Sequence, residues 1–395
     1  MDIATKLRRR WDALGNRCRR ALLGAAGLVA IALGIIIYDR ATAWLPRLVL
    51  DAPGDNIPLA FAPDSVTLAT ENEGRVKLWD TRDGRLVKTL ENPSGRTIFH
   101  GRFTPDGKTF LAITYAPGAN PIVVHVDILD VESGKSRASV ATKFGGFHGL
   151  AVTEQGRVAR VLVGDNTPAR QVVDIDLASG RVLKDRTIDP PPPNPAPGGL
   201  GPMSPDGRFA ASVLALASST NPSKTEMILI WDLDSDREAT RLPLPANTNL
   251  WRVAFVPGGR SLMSARTDGG LERLDLTADL RPMPPPRELG RHHGNYLPYE
   301  LVFSADGGRL ASGGVWRGGP GLSLEYLRVL GVWLTGRRNY EPPYELLIFN
   351  TVGGPPIGRL VNEGRAVFSP DGRSMATIMT DGPEGVAVIR DLPGK

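Results

Sequence analysis

A unit of roughly 40 to 50 residues recurs along most of this chain, and that period dictates what the chain can become. Each copy holds a short apolar run, a turn, a second run, then an apolar or aromatic residue followed by Asp and another turn. The first turn is plainest at Phe368-Ser369-Pro370-Asp371-Gly372, Met203-Ser204-Pro205-Asp206-Gly207 and Phe103-Thr104-Pro105-Asp106-Gly107. Pro presets φ, Asp bonds its own backbone and Gly accepts positive φ, so these are hairpin turns and not phosphate loops. Two tight turns per unit describe four short antiparallel strands, and a series of such units describes sheets set radially about an axis.

The residues just before the first turn are Phe61, Phe103, Val152, Met203, Phe255, Phe303 and Phe368, which predicts seven units. The end of the third strand is marked by Leu78-Trp79-Asp80, Ile128-Leu129-Asp130, Asp174-Ile175-Asp176, Ile230-Trp231-Asp232, Arg273-Leu274-Asp275, Ile348-Phe349-Asn350 and Ile389-Arg390-Asp391. With Trp-Asp intact at Trp79-Asp80 and Trp231-Asp232, the chain resembles the WD-repeat β-propeller family, as a bacterial-type, membrane-anchored member with degenerate repeats. The resemblance covers about residues 46–395 and implies an all-β, seven-bladed propeller. It departs from the family pattern in lacking the Gly-His pair ahead of the first strand. Most blades therefore lack the usual residues of the family's buried hydrogen-bond network. The last unit stops soon after its third strand, and Pro46 to Ala52 is expected to supply the fourth and close the ring.

The formal charge of +5 resides in residues 1–20, where seven Lys and Arg stand against two Asp. The remainder balances at 40 basic and 40 acidic side chains, which argues against a nucleic-acid-binding propeller. Ala21 to Tyr38 follows without a charge, and its 18 residues span about 27 Å as a helix, enough for a bilayer core. The expected organisation is a basic cytoplasmic tail (1–20), a transmembrane helix (21–38), a juxtamembrane linker (39–45) and the propeller (46–395, closing strand 46–52). The positive-inside rule puts the amino terminus in the cytoplasm, making this a single-pass protein of the cytoplasmic membrane with its propeller outside. Tyr38 and Trp44 fall where interfacial aromatic anchors belong. A cleaved signal peptide, with Ala41-Thr42-Ala43 at the cleavage site, is the competing reading. The single cysteine, Cys18, lies in the tail, so the propeller forms no disulfide.

Strand alternation puts the first-to-second and third-to-fourth turns on one face, the second-to-third and blade-to-blade loops on the other. The long segments are of the second kind: Tyr115 to Pro121, Asp189 to Gly199, Leu214 to Glu226, Arg281 to Pro298 and Gly313 to Tyr344. Long loops on a rigid scaffold commonly carry function, whereas length drift alone explains them equally simply. Within the last, Tyr326, Leu327, Leu330, Trp333 and Leu334 share one side of a short helix, with Arg337 and Arg338 at its end; a hairpin also fits. Such a segment packs on the propeller, docks a partner or rests at a bilayer surface.

The five histidines make no metal-ligand spacing, and neither a phosphate loop nor a Gly-x-Ser-x-Gly elbow is present. No catalytic residue, metal or other cofactor is expected. His292 and His293 are read as loop residues, either solvated or in a pH-sensitive or metal contact. Three residues before the marker stand His100, Arg252, Glu300 and Arg365, candidates for a charged ring in the channel or for inter-blade ion pairs. The leading expectation is a membrane-anchored interaction scaffold that binds a protein or cell-envelope partner through Tyr326, Leu327, Leu330, Trp333, Arg337, Arg338, His292 and His293 on the long-loop face. The alternative is an extracytoplasmic hydrolase or lyase at the channel mouth, drawing on His100, His148, Glu300, Arg252 and Arg365.

Overall fold

The computed structural model describes residues 44–50, 54–92, 95–165, 169–188, 202–215, 225–244, 248–292, 296–316, 344–361, 363–379 and 385–393, together with Gly27 and Ala30. Seven antiparallel sheets follow one another in chain order. Blade one is β2 (Ile57–Phe61), β3 (Thr67–Asn72), β4 (Arg75–Asp80) and β5 (Arg85–Leu90), and blade two is β6 (Thr97–Phe103), β7 (Thr109–Tyr115), β8 (Val124–Asp130) and β9 (Ser136–Ala141). Blade three is β10 (Gly146–Thr153), β11 (Val158–Gly164), β12 (Arg170–Asp176) and β13 (Val182–Ile188). Blade four has β14 (Phe209–Ala215), β15 (Thr225–Asp232) and β16 (Arg237–Pro243), its first strand reduced among the described residues to the bridge Met203–Ala210. Blade five is β17 (Leu250–Phe255), β18 (Ser261–Arg266), β19 (Gly270–Leu276) and β20 (Pro282–Arg291). Blade six is β21 (Tyr296–Phe303), β22 (Arg309–Trp316), β23 (Tyr344–Asn350) and β24 (Gly358–Val361). Blade seven joins β25 (Glu363–Phe368), β26 (Ser374–Met379) and β27 (Val386–Asp391) to β1 (Leu48–Leu50), with Leu48 opposite Ile389 and Leu50 opposite Ala387.

First strands of neighbouring blades pack together and form the inner ring. The core lies between blades: seven apolar clusters fill the seven interfaces, from Leu59, Ile98 and Phe110 between blades one and two to Leu50, Phe61 and Ile389 between seven and one. Second strands are covered on both sides, which is why β11 is buried along its whole length.

The recurring turn is a closed hydrogen-bonded module. In blades four, six and seven the Ser204, Ser304 and Ser369 hydroxyls donate to Asp206, Asp306 and Asp371 at 2.5–2.6 Å and accept the amides of Phe209, Arg309 and Ser374 at 2.8–2.9 Å. Thr104 does the same in blade two. The following residue sits at φ near +70°, as at Gly372 (φ 67°), where an L side chain is strained.

Three expectations are corrected. Arg281 to Pro298 is not a long loop, because β20 and β21 occupy most of it; β20 is the outermost strand, where prolines lose no ladder bond on the open edge. Likewise Gly313 to Trp316 completes β22, so the insertion begins later than its glycines suggest. Trp44 packs on the propeller rather than standing free as an anchor: a side chain at Gly358 would meet its ring at 2.8 Å, and its carbonyl accepts Arg390 Nε at 2.6 Å. The chain therefore enters at the rim, on the tight-turn face where β27 ends. The tail 1–20, most of the segment 21–38, the proline run 189–199 and the insertion residues Tyr326, Leu327, Leu330, Trp333, Arg337 and Arg338 lie outside the described residues. Among the described residues no helix is long and apolar enough to cross a membrane.

Where a Trp would stand in blade seven, Arg390 makes a fully buried bidentate pair with Glu363 (2.6 and 2.7 Å), and Thr377 donates to the same carboxylate at 2.6 Å. Glu363→Ala is expected to cost about 3–5 kcal/mol by stranding the guanidinium, with Arg390→Met in the same chain recovering much of the loss. Gly372→Ala is expected to cost about 1 kcal/mol. Urea-induced unfolding measures both.

Candidate functional site

The inner strands carry a repeated irregularity. In β6, β10, β17 and β21 the ladder slips at one residue, so that Phe99, His148, Trp251 and Tyr299 are extra residues in bulges. Each stands four residues before its marker and near the start of its strand, hence towards the long-loop face. Bulges re-aim side chains at sheet rims. The result is a cluster of rings at the channel mouth: Phe99 lies 5.6 Å from Tyr115 and 5.8 Å from Phe147, His100 lies 5.0 Å from Phe147, and Tyr299 lies 5.8 Å from Tyr344. Trp251 is 46% exposed.

The structure draws His100, Arg252, Glu300 and Arg365 into one electrostatic group. Arg365 is its centre. From blade seven its Nη1 donates to the Phe99 carbonyl of blade two at 2.8 Å, its backbone amide donates to the Glu300 carboxylate, and its charge acts on His100, Glu71 and Tyr299. Its own φ is +47°, a strained value for a residue with a side chain, within the irregular stretch of β25. Gly313 permits the approach of Glu300, since a Cβ there would stand 3.2 Å from both Glu300 Cβ and Oε2. Glu300 Oε2 is buried without a hydrogen-bond partner. Burial pushes the Glu300 carboxyl up to about 7, against the lowering influence of Arg365 and Arg252. Burial together with Arg102 and Arg365 pushes His100 down to about 4. His148, whose Nε2 has no hydrogen-bond partner, is pushed down to about 4 by burial and Arg170.

Arg102 joins this group from one residue before the blade-two marker. The guanidiniums of Arg102, Arg252 and Arg365 are reached by water, yet burial pushes Arg102 and Arg252 below their ordinary values. Among the described residues none of the three forms a direct ion pair. Phe99, Trp251, Tyr299 and Arg102 escaped the reading of the sequence. Rings at the same offset from four markers were the available signal.

His292 is neither a solvated loop residue nor an open contact. Its Nδ1 lies 3.0 Å from Glu345 Oε2 and its Nε2 2.9 Å from Ser312 Oγ, all three buried, and Arg359 Nε donates to Glu345 Oε1 at 2.7 Å. Burial acts to raise Glu345, but the bonds from His292 and Arg359 hold it near 2. The connectivity is that of a Ser-His-carboxylate triad, but Ser312 is sealed and the network braces blade six. Trp79 Nε1 donates to Thr70 Oγ1 at 2.8 Å at the corresponding place in blade one. A buried hydroxyl stands at the fourth position of the second strand in blades one and four to seven (Thr70, Ser212, Ser264, Ser312, Thr377), and in blades one, six and seven it anchors a buried network without the Gly-His pair. His293 lies outside the described residues. Among the described residues no group of three or more His, Cys, Asp or Glu is placed to hold a metal ion.

No family model and no curated protein sequence matches the chain. Among solved structures it is similar to the β-propeller domain of Cps50 (Swd1) from Myceliophteria thermophila, with a TM-score of 0.58 and 13% identity over 88% of this chain and 99% of that one. A chain of the mitotic checkpoint complex is similar with a TM-score of 0.54 and 16% identity over 90% of this chain and 94% of that one. At these identities the likeness shows the fold alone, a β-propeller.

Because the folded-state value of Glu300 is raised, its contribution to stability is full below about 4.5 and is lost as pH rises through about 7. Glu300→Gln is expected to remove that loss, which amounts to about 3 kcal/mol at most. Unfolding of both proteins at pH 5 and pH 8 measures the difference, and an equal pH dependence would contradict the assignment.

Proposed function

We propose that this protein is a membrane-tethered binding scaffold whose propeller stands outside the cytoplasmic membrane and takes a polypeptide partner on its long-loop face. One observation carries the reading: Trp251, Arg252 and Arg365, all exposed, are held on inner strands at the mouth of that face, and among the described residues neither arginine forms a direct ion pair. Exposed aromatic and arginine side chains on a rigid frame are the usual anchors of protein interfaces. The chain enters the propeller at Trp44, on the tight-turn face opposite the mouth. The uncharged segment 21–38 and the basic tail support the tether and its orientation. The likeness to a subunit of a checkpoint complex agrees with a protein partner.

A second reading, an extracytoplasmic hydrolase or lyase at the channel mouth, is favoured by Glu300 alone, whose carboxyl is pushed by burial up to about 7 and so exchanges its proton near neutrality. It requires turnover of some substrate that Glu300→Gln abolishes.

A photo-crosslinking residue placed at Trp251 in the full chain, in native membranes, is expected to capture a protein that the same residue at Asp83, in a tight turn, does not. Equal capture from both positions would refute the face assignment. Protease added to intact cells is expected to digest the propeller, and its full protection would refute the outside location.

A further inference from the structure

We propose that Arg365 is a proton-controlled bar across the channel mouth, closed on the Phe99 carbonyl while Glu300 is protonated and drawn off it when Glu300 is ionised. This names the regulation of the binding face and rests on the scaffold reading only for what the mouth admits. Blades seven and two are not neighbours: blade one stands between them, and its inner strand β2 packs against both β25 and β6. The bond from Arg365 Nη1 to the Phe99 carbonyl, at 2.8 Å, therefore spans a whole blade at the inner ring. By contrast Arg160 of blade three reaches only Asp234 of blade four, and Arg273 of blade five only the Thr351 carbonyl of blade six.

The guanidinium has a choice of acceptors. Because the Arg365 backbone amide donates to the Glu300 carboxylate, its side chain starts within its own length of that group. Glu300 Oε2 has no hydrogen-bond partner and stands against Gly313, where a Cβ would come within 3.2 Å. Arg365 holds φ +47° in the irregular stretch of β25, and strained residues of this kind gather at switch regions. A hydrogen bond to an ionised carboxylate is about twice as strong as one between neutral partners, an advantage that a protonated carboxyl does not offer. The proton on Glu300 thus decides which acceptor holds the guanidinium.

Glu300 is faced by Arg252 of β17, Tyr299 beside it on β21 and Arg365 of β25, with Tyr344 of β23 beyond Tyr299, while β22 contributes the backbone at Gly313. Arg365 also faces Glu71 of β3 and His100 of β6. Glu71 competes less for the guanidinium. Its Oε1 already accepts the Gly74 amide at 2.8 Å, and burial, Asp55 and Glu73 all favour its protonated form. Burial pushes the Glu300 carboxyl up to about 7, so the change of acceptor falls between pH 6 and pH 8, with the bar closed on the acid side. His100 follows Phe99 on β6 and lies 5.0 Å from the Phe147 ring, so access to its imidazole reports the state of the bar.

Diethylpyrocarbonate acylates neutral histidine. Burial together with Arg102 and Arg365 pushes His100 down to about 4, so its own titration leaves its reactivity unchanged between pH 6 and pH 8. The test is the rate of His100 acylation in the full chain in detergent micelles, read by mass spectrometry and normalised to free N-acetylhistidine corrected for protonation. The rate is expected to rise about fivefold from pH 6 to pH 8, the margin of a charge-assisted over a neutral hydrogen bond. Glu300→Gln should react slowly at both pH values and Arg365→Met fast at both, while Glu71→Gln keeps the rise. Thermal melts establish that each variant is folded, and Arg365→Gln replaces Arg365→Met if the latter is not. A wild-type rate indifferent to pH, a rise retained in Glu300→Gln or lost in Glu71→Gln, or an Arg365 variant slow at both pH values would overturn the proposal. A pH-indifferent rate beside a partner crosslinked from Trp251 sinks this inference and spares the scaffold reading, whereas a working bar without a crosslinked partner does the reverse.

Discussion

Everything in this molecule hangs on the pairing of β1 with β27. Three residues near the start of the propeller complete a sheet whose other strands come from the chain's last residues, and Leu50 is fully buried in the apolar cluster that seals blade seven against blade one. Without that pairing two sheet edges would be open and the inner ring would lose its circular support. Closure also fixes where the chain arrives. A fourth strand begins at the tight-turn face, so Trp44, docked over Gly358 and bonded to Arg390, places the entry point opposite the long loops.

The blades themselves are held by two layers of interaction. Apolar clusters between sheets supply the burial, and a polar network in the middle of a blade sets the register of its strands. These networks use different residues for one structural task. Trp79 with Thr70, His292 with Ser312 and Glu345, and Arg390 with Glu363 and Thr377 each connect a hydroxyl on the second strand to neighbouring elements. The Ser-His-Glu arrangement in blade six shows why connectivity alone does not make a catalytic site. Its hydroxyl has no route to a substrate.

At the inner ring the same bulge occurs in four blades and turns a structural irregularity into a surface. It moves Phe99, His148, Trp251 and Tyr299 towards the mouth and leaves Arg252 and Glu300 beside them. Arg365 then ties blades six, seven and two through one backbone bond and one guanidinium. Such a cluster depends on five separate strands, β6, β10, β17, β21 and β25, meeting at one axis.

The turns were legible in the residues themselves, because Ser/Thr-Pro/Ala-Asp-Gly has only one comfortable backbone path and its hydroxyl and carboxylate satisfy the same amides in blades two, four, six and seven. From that local chemistry came the strand boundaries, the count of seven and the all-β architecture. Prolines misled where tertiary context overruled them: β20 tolerates them because its outer edge has no partner, a fact about position in a sheet. His292 misled for a related reason, since nothing near it in the chain announces Glu345 or Ser312. By itself, then, the sequence determined the repeat, the fold class and the four inner-strand positions of His100, Arg252, Glu300 and Arg365. Only the tertiary structure decided which of the charges are paired, which rings reach the channel mouth and which face the chain enters, because each depends on distances between strands tens to hundreds of residues apart.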